Sequence, residues 1–439
     1  MRRILLRLAA GALLLAPTLA AADDLLGIYQ KAIEADPQLR AAEAAHQAAL
    51  EARPQAKSAL LPQASAGANV TQTDENVQES TSPFSAGDQE YESHGYNLSL
   101  QQALYQKEFL VQLEQADSRI AEADANLASA RQGLVLRVAE AYFNLLRAQD
   151  NLEFAQAEKK AINQQLRQTE QRFEVGLTAI TDVKEAQARY DLAVAQEIEA
   201  RNNVRTANEA LREITGEDPT ALAPLTEEMP LLTPDPDDID KWVDTALEQN
   251  PGILAASAAS RTAEREIDRR KAERLPGLNL VAEHQYMDGT DAAFGSETSD
   301  NTLSLQLDFP FYQGGRISSS AREAASLYSQ AQEQLEQQRR AAIRETRSAY
   351  LNVQAGISRV KALKQSLVSS ETALEATEAG FEVGTRTAVD VLNSQQELFR
   401  ARRDYAGSRY DYLLATLRLK QAAGLLTEAD LERINNWLE

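Results

Sequence analysis

The chain of 439 residues contains no cysteine. That excludes disulfides, thiolate chemistry and lipid attachment through an N-terminal Cys. Histidine is nearly absent as well: only His46, His94 and His284 occur, and none stands at metal-ligand spacing from another His. There is no phosphate-binding glycine loop, no nucleophile turn with a Ser/His/Asp set and no paired His. Asp182 and Asp390 form a carboxylate pair only on paper, because neither sits in a pocket-forming pattern. We therefore expect no enzyme, no cofactor and no resident metal. Basic residues are outnumbered: 45 Lys and Arg against 66 Asp and Glu give a net charge of −21, which argues against nucleic acid. The excess acid reads either as a solvated surface or as an acidic lumen that selects for cations. Long apolar runs are missing too, so no transmembrane helix is expected.

Residues 1–22 read as a secretory signal, with Arg2, Arg3 and Arg7 before an apolar stretch from Leu8 to Ala16 and a small-residue exit through Ala20 or Ala22. The rest is organised as two long tandem repeats, expected over 23–216 and 239–424. Asp36-Pro37 recurs as Asn250-Pro251, each a helix cap followed by Pro at the first helical position. Leu61-Pro62 recurs as Leu275-Pro276, and Tyr142 with Asn144 as Tyr350 with Asn352.

After each Leu-Pro the hydrophobic period changes from helical to alternating. Ala64, Ala66, Ala68 and Val70 alternate with polar residues, and so do Tyr96, Leu98 and Leu100 beyond the polar stretch from Thr73 to Glu92. In the second copy Leu303, Leu305, Leu307, Phe309 and Phe311 face one way, as do Leu278, Leu280 and Tyr286, with His284 as the exception. Strands are expected near 62–72, 93–104, 276–287 and 301–312. Apolar on one face and small or polar on the other, they match either a membrane β-barrel or a small soluble sandwich. Four strands cannot close a barrel, and open edges are not tolerated in lipid. If the strands span a membrane the chain must oligomerise; of eight strands from a dimer and twelve from a trimer, only twelve leave a lumen of useful width.

The helices make a length argument. Lys107 to Phe173 contains no Pro and, of the glycines, only Gly133. At ~1.5 Å per residue it is about 100 Å long. Ile120, Leu127, Leu134, Val138, Ala141, Leu145, Ile162 and Leu166 fall at coiled-coil spacings along it. Pro37 to Leu60 and Ile180 to Thr215, set end to end, nearly match that length. Pro251 to Arg274 and Ala388 to Ala423 do the same beside Ser318 to Gly380. A soluble globular fold has no use for such helices. Each long helix ends in a related turn, Phe173-Glu174-Val175-Gly176-Leu177 and Phe381-Glu382-Val383-Gly384-Thr385. Gly supplies the left-handed stop, and Thr178 or Thr181, and Thr385 or Thr387, are expected to cap the next helix. Segment 217–238 reads as a linker with five Pro and seven acids, and 425–439 as a short closing helix.

These segments resemble the TolC family of outer-membrane efflux proteins over essentially the whole mature chain. The resemblance rests on Arg172 through Leu177 with Ala179-Ile180-Thr181-Asp182-Val183, on Val383 through Thr387 with Val389-Asp390-Val391-Leu392, and on Ala139-Glu140-Ala141-Tyr142-Phe143-Asn144-Leu145 and Ala349-Tyr350-Leu351-Asn352. It implies a mainly α fold with a membrane β-barrel portion: a homotrimer whose twelve-stranded barrel in the outer-membrane lipid continues into a twelve-helix periplasmic α-barrel. It also implies a passive exit duct for drug efflux or type I protein secretion in a Gram-negative outer membrane. A periplasmic adaptor (membrane fusion) protein and an inner-membrane RND or ABC transporter are the implied partners. The adaptor would dock at Val175, Gly176, Leu177, Val383, Gly384 and Thr385. The periplasmic aperture would be closed by Asp182 and Thr181 bonding Arg386, within or between subunits, and lined by a ring of Asp390 open to cation block. Phe381 stands where the best-known members have Tyr, which removes one hydroxyl bond. Asn393 stands where many have a second Asp, which halves the ring's charge. The competing reading is a periplasm-spanning coiled-coil adaptor or surface protein without a pore; adaptors, however, carry one hairpin and a lipoyl-like domain that are not visible here.

Overall fold

A computed structural model of the chain describes residues 23–77, 87–219, 221–226, 228–289 and 296–439. The expected signal at 1–22 lies outside the described residues. Chain order is α1 (Leu25–Ala35), α2 (Pro37–Leu50), α3 (Ala52–Ser58), β1 (Gln63–Val77), β2 (Gly87–Tyr105), α4 (Lys107–Glu174) and α5 (Ile180–Thr215). It continues with α6 (Ile239–Gln249), α7 (Pro251–Ala272), β3 (Gly277–Asp288), β4 (Glu297–Asp308), α8 (Arg316–Glu382), α9 (Ala388–Ala422) and α10 (Glu428–Asn435). With 68 and 67 residues, α4 and α8 are each about 100 Å long. Among the described residues no helix is long and apolar enough to cross a membrane.

Three local readings change. The helix expected from Pro37 to Leu60 breaks into α2 and α3 around Glu51, because Pro54 has no N–H to return to the carbonyl of Leu50. Both described ends of the polar stretch from Thr73 to Glu92, 73–77 and 87–92, are strand, while 78–86 lie outside the described residues. Gln72 Nε2 donates to Glu90 Oε1 at 2.5 Å and Asn76 donates to Asp88 across the β1–β2 ladder. A ladder polar on both faces has no hydrophobic period to read. The last strand starts earlier than expected, at Glu297, and stops at Asp308 rather than continuing to 312. Pro310 cannot donate to a ladder and it restrains Phe309 before it.

The four strands form one antiparallel sheet in the order β1-β2-β3-β4, so the two hairpins pair through β2 and β3. Ala64, Leu100, Ala282 and Leu303 lie in one cross-strand row and therefore on one face. Leu303, Leu305 and Leu307 on that face are between 63% and 74% exposed. Tyr96 and Tyr286 stack at 5.3 Å toward the hairpin ends, while Tyr105, Phe309, Phe311 and Tyr312 stand exposed where the strands meet α4 and α8. His284 sits among the apolar residues, its Nδ1 2.9 Å from Asn301 Oδ1.

Below the sheet, α4 and α7 are tied by one carboxylate. Glu266 accepts from Arg269 Nε and Nη2 at 2.7 Å each, from Arg270 Nε at 2.8 Å and from Gln115 Nε2 at 3.0 Å. The Arg269 hydrogen bond, with those of Gln115 and the two guanidinium charges, outweighs burial and lowers its pKa to about 2. A folded pKa below the unfolded one means stability that is complete above the ordinary value of 4.5 and is lost as pH falls toward 2. Glu266→Gln should therefore lower the melting temperature at pH 7 and flatten its decline over that acid window. Circular dichroism melts of detergent-solubilised protein read both; an unchanged acid decline would refute the assignment.

The main core lies at mid-height. Tyr142 and Phe143 of α4 are fully buried, and Phe143 stacks on Tyr410 of α9 at 5.7 Å between centroids. The described parts of segment 217–238 are laced onto these helices. Tyr142 donates to the carbonyl of Ala223 at 2.8 Å, Tyr412 to that of Leu232 at 2.9 Å, and Trp242 Nε1 to that of Pro236 at 2.8 Å. The coiled-coil seam residues Leu127, Leu134, Val138, Leu145, Ile162 and Leu166 are buried. Between these apolar residues the seam also holds a polar contact: Arg403 on α9 pairs at 2.8 Å with the buried Glu158 on α4.

Candidate functional site

The site is built on the two turns that join α4 to α5 and α8 to α9. Both helices end in a Schellman motif. Leu177 N–H reaches Arg172 O at 2.8 Å and Gly176 N–H reaches Phe173 O at 2.9 Å. In the second turn Thr385 N–H reaches Gly380 O at 2.8 Å and Gly384 N–H reaches Phe381 O at 3.2 Å. The motif needs a left-handed residue, and Gly176 (φ +75°) and Gly384 (φ +78°) supply it. Folding the backbone this way pushes the flanking side chains outward: Val175 and Leu177 are 70% exposed and Val383 is 75% exposed. Open space surrounds both glycines, with no atom within 4 Å of an added Cβ.

The helices that follow start differently. Thr387 caps α9 as expected. Its hydroxyl accepts from Asp390 N–H at 3.2 Å, while its own N–H and hydroxyl both donate to Asp390 Oδ2 at 2.9 Å. These bonds, led by the Thr387 backbone N–H and helped by the Arg386 charge, hold the Asp390 carboxyl below its ordinary pKa. On α5 the expected threonine cap is absent, since Ala179 occupies the cap position and makes no side-chain bond. The Thr178 hydroxyl bonds the Asp182 carboxylate instead, and that of Thr181 reaches Asp182 Oδ1 at 3.4 Å.

Within one protomer, among the described residues, Arg386 forms no ion pair with Asp182. The Arg386 stem lies over Gly380, where an added Cβ would meet its Cγ at 2.8 Å. Phe381 is buried with Ala388 and Val391, and the Arg172 guanidinium of α4 sits 4.4 Å above its ring. The missing hydroxyl is thus accompanied by a cation–π contact between the ends of α4 and α8. Asn393 is exposed and accepts from Arg189 Nη2 of α5 at 3.1 Å, while Arg189 Nη1 donates to Gln396 Oε1 at 2.9 Å.

Sequence reasoning quoted Arg172 only as part of a motif, with no role of its own, and missed Arg189. A signal for Arg189 was present: it stands seven residues after Asp182, and so on the same face of α5. Nothing local marks its partners, which lie over two hundred positions away on another helix.

Comparison with known proteins gives one consistent answer. The chain is 40% identical to the outer membrane protein TolC of Vibrio cholerae over 424 residues, covering 95% of this chain and 94% of that one. It is 32% identical to the alkaline protease secretion protein AprF of Pseudomonas aeruginosa over 438 residues, covering 99% and 91%. The fold superposes on the outer membrane protein VceC of Vibrio cholerae with a TM-score of 0.77 at 21% identity, covering 91% of this chain and 96% of that one. The family described as outer membrane efflux protein matches residues 28–217 and again 242–425, and the chain belongs to it.

Proposed function

We propose that three copies of the chain form a passive duct from periplasm to exterior, serving drug efflux or type I protein secretion. The observation that carries this reading is the sheet. Among the described residues its four strands leave β1 and β4 unpaired at the edges, and its apolar face stands exposed on a protein of the outer membrane. Open edges are not tolerated in lipid, and three copies supply the twelve strands that close a barrel around a lumen. The order helix, hairpin, long helix, turn, helix occurs twice, and the family matches the chain twice. We take both as one tandem repeat whose helices close a twelve-helix α-barrel below the membrane.

In this reading the turns close the periplasmic end. Asp390 lines the aperture, and Arg386 reaches Thr181 and Asp182 of the neighbouring protomer, since it has no such partner in its own. The exposed Val175, Gly176, Leu177, Val383, Gly384 and Thr385 receive a periplasmic adaptor, which opens the duct for an inner-membrane RND or ABC transporter. The name of AprF as a secretion protein favours protein export, and the family's description favours efflux; both use the same duct.

The test is mass and conductance together. Detergent-extracted protein should run as a trimer and should form ion channels in planar bilayers. A monodisperse monomer that keeps its full β-content would refute the assembly, and with it the pore.

A further inference from the structure

We propose that Arg189 is a positioning residue for the closed aperture: it clamps α5 to α9 inside each protomer by holding Asn393 and Gln396 with one guanidinium. This rests on the duct reading above but concerns a contact that reading does not use.

The geometry is specific. Nη1 donates to Gln396 Oε1 at 2.9 Å and Nη2 to Asn393 Oδ1 at 3.1 Å, so two arms of one planar fork meet two amides one helical turn apart. A lysine presents one compact charge and cannot hold both acceptors in this way. The clamp closes where apolar packing between the hairpins is thin. The small cluster beside it holds Ile162 and Leu166 of α4, Ala186 and Ala193 of α5, and only Leu392 from α9. Asn393 follows Asp390 by one turn of α9, so a grip on Asn393 sets the position of the Asp390 carboxylate as well. In this protein, then, Asn393 does more than halve a ring of charge: it is the acceptor that ties the α8–α9 hairpin to the α4–α5 hairpin.

The chemistry of the clamp also separates it from the Arg386 contact. Both acceptors of Arg189 are neutral, and among the described residues no carboxylate lies within ion-pair distance of it. Salt screens pairs of exposed charges strongly, whereas a short bond from a guanidinium to a neutral amide depends on contact and is screened far less. The two contacts should therefore respond differently to ionic strength.

The experiment uses the full-length trimer in planar bilayers, with single-channel conductance measured relative to the parent at about 0.1 M and about 1 M salt, where the Debye length falls from about 10 Å to about 3 Å. Losing a hydrogen bond to a charged group in each protomer shifts the balance between closed and open by about tenfold or more. Arg189→Ala should raise conductance several-fold at both salt concentrations, and Arg189→Lys should lie between it and the parent. Combining Asn393→Ala and Gln396→Ala should raise conductance to the same degree, and adding Arg189→Ala to that pair should do nothing more. Arg386→Ser should also raise conductance, with an effect that shrinks at high salt. Trimer yield is checked for each variant, and Arg189→Lys carries the test if Arg189→Ala does not assemble. If Arg386→Ser opens the channel while the Arg189 variants conduct like the parent, the clamp is wrong and the duct reading stands. A parent trimer that never conducts would overturn both.

Discussion

Gly176→Asp and Gly384→Asp are each expected to abolish export while trimer yield and bilayer conductance stay at parental levels. Both positions have left-handed backbone, with φ of +75° and +78°, and empty space where a side chain would go. A side chain there costs about 1–2 kcal/mol of backbone strain but meets no neighbour. In the proposed trimer assembly rests on the sheet edges, and the fold of each protomer on the buried Tyr142, Phe143 and Tyr410 at mid-height, both far along the helices from either turn. What the change does alter is the surface. A carboxylate is set between Val175 and Leu177, or beside Val383, where an adaptor would otherwise bury apolar groups. Gly384→Ala carries the same strain without the charge and should keep most export. Export that survives both aspartates would mean that these turns only turn.

The second large effect concerns the aperture. Arg386→Ser should raise single-channel conductance and admit bulky antibiotics that the parent excludes. In the proposed trimer a partly wet bridge from Arg386 to the neighbouring Asp182 would contribute about 0–1 kcal/mol, so three copies would hold the aperture by at most a few kcal/mol. Driving a closed population from 99:1 to 1:99 takes about 5.5 kcal/mol, which is within reach of adaptor binding. Asp390 acts separately. The lowered pKa that its Thr387 bonds enforce keeps it ionised at neutral and mildly acidic pH, so in the proposed trimer three carboxylates would repel one another unless a cation bridged them. Asp390→Asn keeps an acceptor for the capping box and removes the charge. It should abolish cation preference and block by millimolar divalent ions, leaving the closed population similar or slightly larger. Recordings with and without divalent cation decide this: a variant that stays as sensitive as the parent would remove Asp390 from the pore lining.

Much of this protein is written in neighbouring residues. The length of α4 follows from a stretch without Pro that keeps a coiled-coil period, and its end from Gly176, because only a left-handed residue completes the Schellman bonds to Arg172 and Phe173. The apolar face of the sheet follows from alternation at Leu303, Leu305 and Leu307, since successive side chains point to opposite faces. Where both faces are polar, as from Thr73 to Asn76, that signal vanishes, and the strand runs on past its expected end near 72. Long-range partners were beyond reach for a different reason. That β2 pairs with β3, that Trp242 and Tyr412 hold segment 217–238 in place, and that Arg189 grips Asn393 are decided by which groups lie within about 3 Å once the helices are packed. Arginine is long and flexible, and its sequence position names the face it leaves from but not the acceptor it finds. Local periodicity determined the lengths, turns and faces of the elements; contact distance across distant parts of the chain decided how they are joined.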